Sequence, residues 1–165
     1  MADQVVLPVG IGELRVSKDP SEVLVAYGLG SCVGVCLYDP DAKVGGLAHV
    51  MLPSSAEAQS QRPLSKFADR AVPMLIEEMS KLGASPRRLI CKIAGGAQML
   101  TAAGFSTNGF TVGERNIEAV KAALERHKVS LAKADIGGHR GRTVSIRPGS
   151  GKIMLRTIGE KETEL

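Results

Sequence analysis

Cys32 and His49 are the two side chains of this sequence whose types and spacing point to covalent chemistry. The cysteine closes the run Gly28-Leu29-Gly30-Ser31-Cys32, and the histidine follows seventeen positions later, inside Gly46-Leu47-Ala48-His49-Val50-Met51. A thiolate attacks carbonyl carbon, and a neighbouring imidazole takes the thiol proton and later returns it to a leaving group. Free cysteine is also among the most buried residue types, so each cysteine has a plain structural explanation as a small hydrophobe. That explanation suits Cys36 and Cys91, which sit inside the apolar runs Val35-Cys36-Leu37 and Ile90-Cys91-Lys92-Ile93. Cys32 instead follows two glycines and a serine at a strand entrance. Unpaired N–H groups there would hold an oxyanion and, together with a histidine, lower the thiol pKa. On these residues alone a catalytic and a structural Cys32 both stand open.

The histidines divide in the same way. His127 lies in the charged stretch Glu125-Arg126-His127-Lys128 and reads as a solvated helix residue. His139 belongs to the glycine-rich loop Gly137-Gly138-His139-Arg140-Gly141-Arg142, which either binds an anion or turns a corner; turning the corner is the simpler reading. His49 is a polar ring inside an apolar strand; a buried ring needs a partner, and Cys32 is the nearest candidate by hairpin pairing.

The elements that must position this pair are legible from periodicity and turn chemistry. Val33 to Tyr38 is strand-like, Asp39-Pro40-Asp41 is a turn, and Val44 to Met51 reads as the returning strand, so a thiol at one end of the hairpin faces residues at the other. Further strands are predicted at about Gly12 to Val16, Val23 to Tyr27, Leu89 to Ala94, Ser130 to Ile136, Thr143 to Arg147 and Lys152 to Ile158. Phe67, Ala71, Val72, Leu75, Ile76, Met79 and Leu82 recur at helical spacing, with Gly83 as the stop and Pro73 predicting a kink or restart. A second helix over Glu114 to Arg126 buries Ile117, Val120, Ala123 and Leu124, its end charges matching the macrodipole. Many strands and two long helices place the chain in the α+β class. Ser54 to Pro63 reads as a mobile polar loop beside the His49 strand.

Length and composition bound the rest. One domain over 1–165 is expected, with an ordered core at about 9–158 and a frayed tail at 159–165. No apolar run approaches the length of a membrane span, and Met1-Ala2-Asp3-Gln4 lacks a signal-peptide start, so a cytoplasmic protein is expected. Three cysteines without CxxC or zinc-finger spacing argue against disulfides and a structural metal, and no cofactor is expected. The net charge of +4 is scattered except at Pro86-Arg87-Arg88 and the His139 to Arg142 loop, and aromatics are scarce, which disfavours a nucleic-acid partner; the charges read as ordinary solvated surface, with some use in meeting an acidic protein partner. A dinucleotide loop is disfavoured because Gly28, Gly30 and Gly34 miss the fingerprint spacing and lead into a strand.

The run Gly28 to Val33, followed by Gly46-Leu47-Ala48-His49-Val50-Met51-Leu52-Pro53, resembles the CheD family of chemoreceptor glutamine deamidases. Further segments agree in order: Lys92 to Ala97, Val112-Gly113-Glu114-Arg115-Asn116, Asp135 to Gly138 with Gly141-Arg142, and Gly151-Lys152. The likeness runs from about Val9 to Ile158. It implies the cysteine hydrolase fold shared with the cytotoxic necrotizing factor toxins, an α/β/β layered sandwich, with Cys32 as nucleophile and His49 as base. It implies methyl-accepting chemotaxis proteins as substrates, converted from glutamine to glutamate with release of ammonia, and a CheC-type phosphatase as partner. The family pattern has a third catalytic residue, a threonine, six positions before the cysteine, and here that position is Ala26. The orienting role would then pass to a backbone carbonyl, a water or another side chain. Two other readings are a non-catalytic regulator that binds the phosphatase, and a cysteine esterase acting on receptor methyl esters.

Overall fold

The computed structural model describes residues 3–56, 58, 60–99 and 111–165. Ten strands and two α-helices are assigned among them: β1 (Val5–Pro8), β2 (Leu14–Ser17), β3 (Glu22–Leu29), β4 (Val33–Asp39), β5 (Val44–Val50), α1 (Ala68–Lys81), β6 (Ile90–Gly95), α2 (Val112–Arg126), β7 (Ser130–Ile136), β8 (Arg142–Ile146), β9 (Ile153–Thr157) and β10 (Thr163–Glu164). One sheet runs β1-β3-β8-β9-β10 and the other β2-β5-β4-β6-β7.

Alternation along the strands makes three layers. Val33, Val35 and Leu37 of β4, with Ala48 and Val50 of β5, face the buried side of α1 and α2 (Ala71, Val72, Leu75, Met79, Ile117, Val120). Cys32, Cys36 and Leu47 point the other way, into a second core against Leu24, Ala26 and Leu29 of β3 and Val144 and Ile146 of β8. Both faces of β4 and β5 are therefore covered, which is why these strands read as nearly continuous apolar runs. The result is the α/β/β layering that the family resemblance implied, within the α+β class read from the sequence.

The β4–β5 hairpin forms as predicted, antiparallel, with Gly34 opposite His49 and Val33 opposite Val50. Its turn is fixed by Asp39, whose Oδ1 accepts from the N–H groups of Asp41 and Ala42, while Arg88 and the Ser85 N–H bind the same carboxylate. Burial alone would raise the Asp39 pKa, but these donors outweigh it and hold the carboxyl at about 2.

Four expectations need correction. The short edge strand β1 was not foreseen; Val5 and Val6 are about half exposed and carry no alternation of their own, and only parallel pairing with β3 defines them. Residues 159–165 are not wholly a frayed tail, because β10 pairs with β9, the Leu165 N–H donates to Ile153 O, and Lys92 Nζ donates to Leu165 O. Helix α1 runs as one segment through Pro73; the apolar face of Ala71, Val72, Leu75 and Met79, packed on the sheet, outweighs one lost backbone bond. In the loop predicted to be mobile, Ser55 is buried and pinned, its N–H and hydroxyl donating to Asp69; residues 57 and 59 lie outside the described residues.

Candidate active site

Cys32 sits where the chain changes sheets. β3 belongs to one sheet and β4 to the other, so Gly30-Ser31-Cys32 is the crossing between them. The pairing of β3 with β8 slips between Ala26 and Leu29, with Gly28 at φ 64°, and this irregularity turns the chain out of the first sheet. Two carbonyls of the crossing are then tied to the loop after β6: the Gly96 N–H donates to Cys32 O and the Ala97 N–H to Gly30 O, both at 2.8 Å. Gly95 makes that approach possible. A Cβ there would collide with the Cys32 carbonyl oxygen, and its φ of +116° is one that side-chain-bearing residues rarely adopt. Among the described residues the N–H groups of Gly30, Ser31 and Cys32 donate to no other residue.

His49 shares the inter-sheet face with Cys32. The residue paired with His49 is Gly34, two positions after Cys32, so cysteine and histidine stand diagonally across the two strands with no side chain between them. Diagonal neighbours on one sheet face lie within reach of long and aromatic side chains. The ring is 1% exposed. Its Nδ1 lies 3.0 Å from Val9 O, and because a carbonyl can only accept, Nδ1 carries the proton and donates it. Nε2 is therefore the bare nitrogen, and it is buried without a hydrogen-bond partner among the described residues; the expected bond to Cys32 is not made, because the two residues stand diagonally and not directly opposite. The Gly12 N–H donates to His49 O and the His49 N–H to Glu13 O, so the segment after β1 holds the histidine by ring and backbone together.

The electrostatics correct one expectation. The Cys32 thiol is not lowered toward the reactive range: burial pushes it up, and its own N–H opposes this only in part. Burial also pushes the His49 imidazole down, against the Val9 carbonyl and the Glu13 charge, which favour the cation. The resting site thus favours a protonated thiol and a neutral imidazole over a ready-made ion pair. Such a pair needs a proton transfer to become nucleophilic, and the bare Nε2 is the acceptor suited to it.

The other candidates fall out as the sequence indicated. Cys36 and Cys91 are core residues with no exposed surface, and burial pushes the Cys36 thiol up to about 12. His127 caps the C-terminal end of α2 in solvent. His139 lies in its loop with Nδ1 3.1 Å from Gln98 O, and Arg142 beside it is buried against Asp135. Ala26, in the position of the family pattern's threonine, is fully buried in the inter-sheet core. Among the described residues no group of three or more His, Cys, Asp or Glu could hold a metal ion. No helix there is long and apolar enough to cross a membrane.

The family described as CheD chemotactic sensory transduction matches residues 51–157 of this chain. A relative from Symbiobacterium thermophilum, named probable chemoreceptor glutamine deamidase CheD, is 45% identical over the full length of both chains. This chain belongs to the CheD family. A Thermotoga maritima CheD, named chemoreceptor glutamine deamidase, is 47% identical over 93% of each chain, and a Geobacter metallireducens CheD is 44% identical over 97% of this chain and 98% of its own. Among solved structures, a Neisseria meningitidis protein of family DUF152 shares the fold at a TM-score of 0.50 and 10% identity, covering 82% of this chain and 64% of that one. Several of the segments that carried the CheD likeness converge in space, whereas Gly151-Lys152 packs by Tyr38 at the far end of β4. Gly95 to Ala97 grips the crossing, the Gly137 N–H bonds Gly95 O, Gln98 bonds Gly138 O, and Arg142 reaches Gly95 O.

Two contributors to this candidate site were not singled out from the sequence. The Val9 carbonyl has no signature, since every residue carries one. Asn116 could have been noticed as an amide on the apolar side of a predicted helix: it is fully buried, and its Nδ2 donates to Ser31 O at 2.9 Å and Met51 O at 3.0 Å.

Proposed function

We propose that this CheD deamidates selected glutamine side chains of methyl-accepting chemoreceptors in the cytoplasm, with Cys32 as nucleophile and His49 as the proton-transfer group. The observation that carries this reading is the His49 ring: Nδ1 is committed to Val9 O, and Nε2 is bare, buried and on the face shared with Cys32. The names of the relatives supply the substrate class.

In this mechanism Nε2 takes the thiol proton as Sγ attacks the carboxamide carbon, and the carbonyl oxygen becomes an oxyanion held by N–H groups of Gly30 to Cys32. His49 returns the proton to the amide nitrogen, the C–N bond breaks, and ammonia leaves a glutamyl thioester. Water then gives its proton to Nε2 and attacks the thioester. The C–S bond breaks, Sγ recovers its proton, and glutamate is released. The Val9 carbonyl takes the orienting role left open by Ala26, since it fixes the tautomer that leaves Nε2 free. Met99, 47% exposed and lying over Gly30, and Ile158, 67% exposed and lying over Gly141, give the mouth apolar surface for a receptor segment. A CheC-type phosphatase is the expected protein partner at the same mouth.

The test is the mass of a chemoreceptor cytoplasmic domain after incubation with wild type and with Cys32→Ala. The expected gain is about one mass unit per modified glutamine with wild type only, with equimolar ammonia. Turnover retained by Cys32→Ala would refute the nucleophile. Methanol in place of ammonia would make the protein an esterase. Phosphatase binding without turnover would make it a regulator.

A further inference from the structure

The β4–β5 ladder stops at Val33 and Val50, one residue short of Cys32. Continued by one step, the register would set Cys32 opposite Met51, yet no rung is formed there. Asn116 stands in its place. From the buried face of α2, one amide nitrogen donates one hydrogen to the carbonyl of Ser31, the residue before the thiol, and the other to the carbonyl of Met51, two residues beyond His49. The two strand ends bearing Cys32 and His49 are therefore fastened to each other through a single side-chain atom.

Two further observations point the same way. Asn116 Oδ1 is buried with no hydrogen-bond partner among the described residues. The amide is thus used for its two donors alone, and an unpaired buried acceptor is tolerated beside them. The first turn of the same helix also presses on the loop that grips the crossing: a Cβ on Gly113 would meet the carbonyl oxygens of Gly96 and Ala97, and one on Gly96 would strike Ile117. Helix α2 thus braces the thiol by two routes, Asn116 directly and Gly113 through the Gly96 loop.

We propose that Asn116 is a positioning residue of the deamidase reaction: its neutral double donor holds the Ser31 and Met51 carbonyls together and thereby sets where Cys32 stands relative to His49. This rests on the reading of Cys32 and His49 as the reacting pair. A carboxylate cannot substitute, having no hydrogens to give, and an alkyl group of the same shape fills the space without the clasp.

The experiment uses the full chain with Asn116→Ala and Asn116→Leu, the second matching the shape of the amide so that packing is kept. Thermal melts establish folding. Ammonia release from a receptor domain gives kcat and KM, and the rate of Cys32 alkylation by iodoacetamide is measured with and without a second His49→Ala change. A misplacement near one ångström predicts kcat lower by about 100-fold with KM little changed. In the alkylation cycle, His49→Ala changes the rate in wild type but no longer in the Asn116 background, because the pair has been uncoupled. A packing role alone would lower the melting temperature and leave that coupling intact. A folded Asn116→Leu protein with kcat within about threefold of wild type overturns the proposal, as does a protein that loses kcat while keeping the coupling. Failure of the underlying reading looks different, since Cys32→Ala would then still release ammonia in the same assay.

Discussion

Restoring the family pattern's threonine, by Ala26→Thr, asks whether the Val9 carbonyl suffices as the third member of the site. Neutral His49 has one proton on Nδ1, and Val9 O already accepts it at 3.0 Å. A new hydroxyl has no second proton there to receive, so the expected change in kcat is no more than about twofold. Stability is a different matter. Ala26 is fully buried among Leu24, Leu29, Val144 and Ile146, and threonine adds two heavy atoms. Overpacking of that kind costs about 1–3 kcal/mol, and a buried hydroxyl without a partner costs about 1–3 kcal/mol more. The sum, about 2–6 kcal/mol, corresponds to a melting temperature lower by about 5–20 °C for a chain of this size. Ammonia release on a receptor domain and a calorimetric melt, made on the same preparations, check both numbers. A gain in kcat of about tenfold or more with an unchanged melt would refute the reasoning, because it would mean that the hydroxyl orients the ring and the carbonyl does not.

Gly95→Ala should lower kcat by about 100-fold by displacing the Cys32 carbonyl, and should cost about 1–3 kcal/mol in backbone strain; Gly83→Ala, at φ +103° with open space around it, shares the strain and should leave kcat unchanged. Because burial lowers the His49 pKa, the acid limb of kcat/KM should fall below the ordinary imidazole value of about 6.5. Stability should also decline as pH drops below that value, since the unfolded chain binds the proton more readily. At the alkaline end all three thiols are raised, so the unfolded chain loses protons that the folded one keeps, and stability should decline as pH rises past about 9. Cys36 alone accounts for on the order of 1 kcal/mol one pH unit above that point. Urea titrations across the range check both slopes, and a flat alkaline profile would contradict the burial of the thiols.

The parts legible in the sequence were those whose signal is local. The hairpin from Val33 to Val50 announced itself through apolar strands around an Asp-Pro-Asp turn, and with it the placement of Cys32 and His49 at the same end of the hairpin; that they stand diagonally without a hydrogen bond was not legible. Helix α2 showed its period, although its true start, Thr111 in a reciprocal cap with Glu114, lay earlier than the apolar pattern indicated. β1 and β10 went unseen because their reason for being strands is a partner far away in the chain. The lowered thiol pKa was wrongly expected because glycines and free N–H groups are visible in a sequence, whereas the desolvation imposed by a second sheet is not. Asn116 and the Val9 carbonyl escaped for related reasons: one is recognisable only once α2 is docked, and the other has no residue identity at all.

The crossing between the sheets has a mechanical consequence. His49 belongs to one sheet, but its ring is steered by Val9, which continues β1 of the other, and Cys32 lies on the strap joining the two. The orientation of the imidazole therefore depends on how the two sheets sit on each other. A small slide between layers would move the Val9 carbonyl against a ring whose backbone stays with the other sheet, and would re-aim Nε2 before it disturbed either sheet.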